Sequence, residues 1–155
     1  MSYTYRINKE LKLNYVKASG SVHVSEIIET ARKMFRDPDW KFVRKQISDF
    51  REATGLIITF EGFEKIIEVE KEQQEEQEKI HNGETGKLAI VAEKDIYDII
   101  FELYSVKTKD GFHKTKIFNN IDQALVWLEL ISVNDIKENN LNSELTNLIK
   151  LKNSK

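Results

Sequence analysis

At 155 residues and 18.2 kDa, the chain is sized for one domain that buries roughly two-thirds of the surface its unfolded form exposes. It is 40% hydrophobic and 32% charged with a single proline, the composition of a folded rather than a disordered chain, and its net charge of -2 exerts no general attraction on nucleic acid or membranes. The absence of cysteine excludes disulfides, thiol nucleophiles and thiolate metal sites.

Tyr3, Tyr5 and Ile7 alternate with Thr4 and Arg6, and after the turn Asn8-Lys9-Glu10 the residues Leu11, Leu13 and Tyr15 alternate with Lys12 and Asn14. This is the pattern of a hairpin whose strands each have one apolar face. So polar an opening is no signal peptide, and no apolar run approaches the roughly 18 residues of a membrane span, so the expected location is cytoplasmic. Gly20 ends the second strand, and Ile27, Ile28, Ala31, Met34 and Phe35 stripe a helix that begins near Ser25 and stops at Asp37-Pro38. A third strand is expected from about Phe42 to Phe50, then a helix capped by Thr59 that carries Phe60, Phe63, Ile66 and Ile67.

From Glu61 to Ile80 that helix has eight Glu against three Lys, and beyond Val69 its apolar stripe is lost, so its second half is expected to project into solvent or fray. Asn82-Gly83 breaks it, and Leu88-Ala89-Ile90-Val91 reads as a buried strand. Tyr97, Ile100, Leu103 and Tyr104 stripe a third helix, and after Asp110-Gly111 a strand at Thr115 to Phe118 leads into a helix with Ala124, Leu125, Leu128 and Ile131. Ile28, Phe35, Leu103 and Leu125 are expected in the core. The order β-β-α-β-α-β-α-β-α predicts parallel neighbours joined by right-handed crossovers, with only the opening hairpin antiparallel. Arg44, Gln46 and Ser48 share one strand parity and Lys114 and Lys116 another, which predicts helices mainly on one face and a solvated opposite face carrying Arg6, Lys12, Arg44, Lys114 and Lys116. Interleaved aromatics are missing from that parity, which disfavours RNA.

The element order, with Val16-Lys17-Ala18-Ser19-Gly20, Ser48-Asp49-Phe50-Arg51, Gly86-Lys87-Leu88-Ala89-Ile90-Val91 and the Ile117 to Leu128 ending, resembles the SpoIIAA-like (STAS-like) proteins of bacteria over about residues 3 to 130. The resemblance implies a mixed, mostly parallel five-stranded sheet in a domain of residues 1–131, with 132–155 as a C-terminal helical extension. It also implies a noncatalytic protein-binding or regulatory module. Anti-sigma-factor antagonists of that superfamily bind a kinase and are switched by phosphorylation of a Ser or Thr that begins a helix. The Sec14 relatives bind lipid, which gives the alternative of a carrier for a small apolar ligand. Ala53-Thr54-Gly55-Leu56 resembles the antagonists' switch segment and makes Thr54 the candidate phosphosite, but no Asp precedes it, and a loop threonine beside a turn glycine is the plainer reading.

Asp49 and Arg51 stand where a strand ends, the usual place for ligands in α/β sheets, although a local salt bridge explains the pair as well. With Arg44, Lys114 and Lys116 they are the candidate partner-binding or ligand-binding residues. No metal and no cofactor is expected. His23, His81 and His113 are scattered, and Asp37 and Asp39 flank a proline as ordinary loop carboxylates do. Thr85-Gly86-Lys87 lacks the upstream glycine of a phosphate loop. In the extension, Ser132 and Asp135 can cap a turn, and Leu141, Leu145, Leu148 and Ile149 form a narrow helical stripe, expected to dock on an open edge of the domain or on a second subunit. A protein partner or self-association is the expected interaction.

Overall fold

The computed structural model describes residues 2–83, 86–93, 96, 98 and 114–137. Five strands, β1 (Tyr3–Asn8), β2 (Leu13–His23), β3 (Lys45–Ile57), β4 (Lys87–Val91) and β5 (Lys114–Phe118), form one sheet in chain order. The first pair is antiparallel and the other three are parallel. Asn8 closes the opening turn by accepting the Leu11 N–H on its side-chain oxygen at 3.0 Å, and Lys12 takes the left-handed conformation that reverses the chain.

The register sorts the strands into two faces. Tyr3, Val16, Ala18, Leu88 and Ile90 point to one, where they pack with Ile27, Ala31 and Met34 of helix α1 (Val24–Arg36) and with Ile66 and Val69 of helix α2 (Phe60–Ile80). Leu13, Tyr15, Ile47, Ala89 and Val91 point to the other, against Ala124 and Leu125 of helix α3 (Ile121–Trp127) and the Leu128 and Ile131 that follow it. Parallel strands laid down in chain order with right-handed crossovers must send every crossover to the same side. This is why the two long helices share a face and, among the described residues, α3, which follows the last strand, covers the other.

Each helix start has a chemical cause. Glu26 in the first turn of α1 accepts the His23 N–H at 3.2 Å and the Ser2 hydroxyl at 2.5 Å. Thr59 accepts the Gly62 N–H at 3.0 Å at the start of α2. Asn120 accepts the N–H groups of Asp122 and Gln123 at the start of α3. Ser132 and Asp135 exchange bonds as a capping box before the short helix α4 (Val133–Lys137).

Several expectations are corrected. The second half of α2 does not leave the protein, because Gln73 and Gln77 continue the line of Ile66 and Val69 and are 6% and 5% exposed. Their amides donate to the backbone oxygens of Ala31 and Trp40, at 2.5 and 2.7 Å. Asn14, Gln46 and Ser48 belong to the same polar seam: the Asn14 amide donates to Gln46 at 3.1 Å, and Gln46 donates to Ser48 at 3.2 Å. The Gln46 and Ser48 parity therefore faces α1 and α2 rather than water. Trp40–Phe42 is a 3-10 turn, so β3 starts later than expected; it also runs seven residues past Phe50, to Ile57. β2 likewise continues through Gly20, whose φ of 66° needs no Cβ, to His23. In α1 the buried line is Ile27, Thr30, Ala31 and Met34, with Ile28 and Phe35 half-buried at its flanks. Leu125 is fully buried. Leu103, the Tyr97 to Tyr104 stripe, Asp110-Gly111, Thr85, His113 and the Leu141 to Ile149 stripe lie outside the described residues.

Candidate functional site

Two extra residues in β3 shape the end of the sheet. Lys17 pairs with Asp49 and Ser19 with Glu52, so Phe50 and Arg51 stand opposite Ala18 alone; Gly20 pairs with Ala53 and Ser21 with Gly55, so Thr54 is extra. Such bulges leave backbone groups off the ladder and bend the strand. The Arg51 N–H freed at the first bulge is taken by Asp49 Oδ1 at 3.1 Å. Arg51 also grips the same carboxylate with two side-chain nitrogens, Nε to Oδ1 at 2.9 Å and Nη2 to Oδ2 at 2.7 Å, and the Tyr15 hydroxyl donates to Oδ2.

The Asp49 side chain is 4% exposed and that of Arg51 26%. Burial alone would raise the Asp49 carboxyl, but the hydrogen bonds from Arg51 and Tyr15 and the guanidinium charge outweigh it and hold the group below the usual carboxylate range. Burial, followed by the Asp49 charge and hydrogen bond, pushes the Tyr15 phenol up, and the bond to Asp49 raises Arg51. A carboxylate has about four acceptor positions and four donors occupy them here. Asp49 is therefore a brace for the bulge, with no free lone pair for general-base work.

Beyond this brace β4 and β5 have ended, and β2 and β3 continue as a two-stranded arm. Phe50 and Ala53 hold its inner side on the core. Thr54 is exposed on the strand, neither in a loop nor at a helix start. The arm ends in an apolar corner, where Ile57 is 48% and Phe60 77% exposed on either side of the Thr59 cap. Sequence periodicity passes over this corner because it counts Phe60 toward the buried stripe of α2, whereas the cap geometry turns it outward.

The other candidates lie apart. Lys114 and Lys116 are exposed on the α3 face of β5, where Lys116 lies 5.5 Å from the centre of the Phe118 ring. Arg44 precedes β3 on the opposite face, beside Trp40, Gln73 and Gln77 in the wall of a cavity of about 70 Å³, so the basic residues do not form one surface. That volume is well below the roughly 300–1,000 Å³ of a ligand pocket, and Trp40, Val43 and Leu88 share its wall with glutamine, glutamate and basic side chains. Asp37 accepts the Tyr5 hydroxyl at 2.8 Å and the Asp39 N–H at 2.9 Å, and His81 meets the Lys41 carbonyl oxygen at 3.0 Å. Among the described residues no group of three or more acidic or histidine side chains could hold a metal ion, and no helix is long and apolar enough to cross a membrane.

No family model and no curated protein matches the chain. Among solved structures it is similar to the anti-sigma factor antagonist SpoIIAA in its unphosphorylated form, at 10% identity and a TM-score of 0.46 over 83% of this chain and 99% of that one. It is also similar to an uncharacterized DUF3478-family protein with a SpoIIAA-like fold from Shewanella loihica PV-4, at 16% identity and a TM-score of 0.41 over 81% and 91%. The fold is α/β, with the order of elements that the resemblance to SpoIIAA-like proteins implies: an antiparallel opening hairpin, then parallel strands added in chain order with the long helices on one face.

Proposed function

We propose that this protein is a noncatalytic docking module that binds another protein at the free end of the β2–β3 arm. The observation that carries the reading is the apolar corner of Ile57 and Phe60, held outward by the Thr59 cap. Aromatic and aliphatic side chains in such positions are the usual anchors of a protein interface. Asp49, Arg51 and Tyr15 serve by fixing the bulge from which the arm projects. Thr54, exposed on the arm, is where a phosphate would add charge beside the contact and so regulate it. The reading of an apolar-ligand carrier finds no support in a cavity of about 70 Å³.

The test is native mass spectrometry of the protein isolated from its own source, beside an Ile57→Ser/Phe60→Ser variant. Both side chains are exposed, so the variant should fold normally. A protein retained by the wild type and lost by the variant supports the module, whereas a retained lipid with no protein replaces it by the carrier.

A further inference from the structure

On the α3 face of the sheet the parallel register places three lysines side by side, Lys45 on β3, Lys87 on β4 and Lys114 on β5, each about 4.8 Å from the next along the ladder. Like charges directly opposite one another in a sheet are unfavourable. Among the described residues little relieves them. Lys87 is drawn to the Trp127 carbonyl oxygen at 3.3 Å, the Trp127 ring at 5.1 Å and Glu129 at 3.6 Å, while exposed Lys116 extends the positive margin one row along β5. Burial, then the charges of Lys87 and Lys12, push the Lys45 ammonium down, against the pull of Glu129. Among the described residues, Glu129 is the carboxylate that faces this margin, one negative charge against four lysines.

An anionic counterpart exists on the other side of the molecule. The side of α2 away from the sheet exposes Glu61, Glu64, Glu68, Glu72, Glu75 and Glu76 against Lys65, Lys71 and Lys79, and among the described residues Glu68 and Glu76 have lysine partners there, at 3.4 and 3.5 Å. Glu68, Glu72 and Glu75 follow one another by about one helical turn, roughly 5.4 Å, which is commensurate with the spacing of the lysine ladder. An acidic helix laid across the strands therefore offers one carboxylate to each lysine. We propose that the Lys45–Lys87–Lys114 ladder is a docking surface for α2 of a second copy of this chain. The proposal rests on the reading of the protein as a binding module and names one partner for it.

The geometry also dictates the kind of assembly. The ladder and α2 lie on opposite faces of the same sheet, so two copies cannot satisfy both contacts reciprocally. The contact is head-to-tail and continues from copy to copy.

Sedimentation over a range of concentrations tests this. At low salt the wild-type average mass should climb steadily with concentration, and about 0.5 M salt should return it to monomer. Lys114→Glu/Lys116→Glu and Glu72→Lys/Glu75→Lys should each weaken association by at least about tenfold, and an equal mixture of the two should assemble again, because each supplies the charge the other now needs. A wild type that stays monomeric at low salt, a closed dimer whose mass stops rising, or variants that assemble like the wild type would overturn the proposal. The Ile57→Ser/Phe60→Ser variant should assemble normally. A wild type that assembles but retains no partner protein would thus sink the module reading alone, and a wild type that retains a partner but stays monomeric would sink only the ladder contact.

Discussion

Asp49 concentrates the electrostatic stability of the β3 bulge in one side chain. Replacing it by Asn leaves the Arg51 charge without its partner; breaking a buried pair costs about 3–5 kcal/mol, and the part of Arg51 in water puts this case near 3 kcal/mol. Because the carboxyl is depressed in the folded state, its contribution is complete above the unfolded value of about 3.9 and is lost as pH falls through the lower folded value. Urea unfolding followed from about pH 5 to pH 2 should show wild-type stability falling toward that of Asp49→Asn, with the gap closing at the acid end. A constant gap would show that the depressed carboxyl is not the cause. The Asp49–Arg51 contact is legible in the sequence, since residues two apart on a strand share a face. Tyr15 is not, because 34 residues separate it from Asp49 and only the parallel register brings them together. Gly86 illustrates the same limit: it reads as a failed phosphate loop, yet a Cβ there would stand 2.9 Å from the Arg44 carbonyl oxygen. Gly86→Ala should therefore destabilise by about 1–3 kcal/mol, measured as a shift in the urea midpoint.

The helix α2 shows where periodicity misleads at the level of elements. Counting apolar residues ends its buried face at Val69, but Gln73 and Gln77 keep the same spacing and exchange hydrophobic contact for amide bonds to backbone oxygens. Gln77→Ala should cost about 1–2 kcal/mol in thermal or urea unfolding, whereas Glu72, Glu75 and Glu76 changed together to Gln should cost less than about 1 kcal/mol, since exposed charges interact weakly. The opposite ranking would place the glutamates inward and refute the register of the helix. Strand β3 misleads for a related reason. Each bulge slips the inward and outward alternation by one residue, so the pattern looks finished at Phe50 while the strand goes on to Ile57. At the start of the chain, without bulges before Lys17, the antiparallel hairpin is read correctly, but β2 is buried on both faces from Leu13 to Val16 where the alternation predicts one apolar face.

At the scale of the molecule, strand order and direction were open to inference because the crossovers into and out of β3 carry the amphipathic helices α1 and α2, each long enough to cover a sheet, and chirality leaves one way to wind them. The cover over the second face was less accessible, as α3 has only seven residues and its contribution comes as much from Leu128 and Ile131 beyond its end. Leu125→Asp places a charge where exposure is 0% and should abolish cooperative unfolding; circular dichroism showing a wild-type transition would contradict the assignment of that core. Pairing strictly by chain order also bears on synthesis. Among the described residues, the buried side chains of the core beneath α1 and α2 come from residues up to Ile96, with Ile117 packed at its edge, so a growing chain can close most of it before β5 has been made, while the opposite core must wait for Phe118 to Ile131. During that interval β4 is the outermost strand, with an unpaired backbone edge and a bare apolar side of the kind that recruits other chains. Lys87 and Lys45 stand side by side at the margin of that side, and before they have any partner their mutual repulsion already guards the unfinished sheet against its own kind.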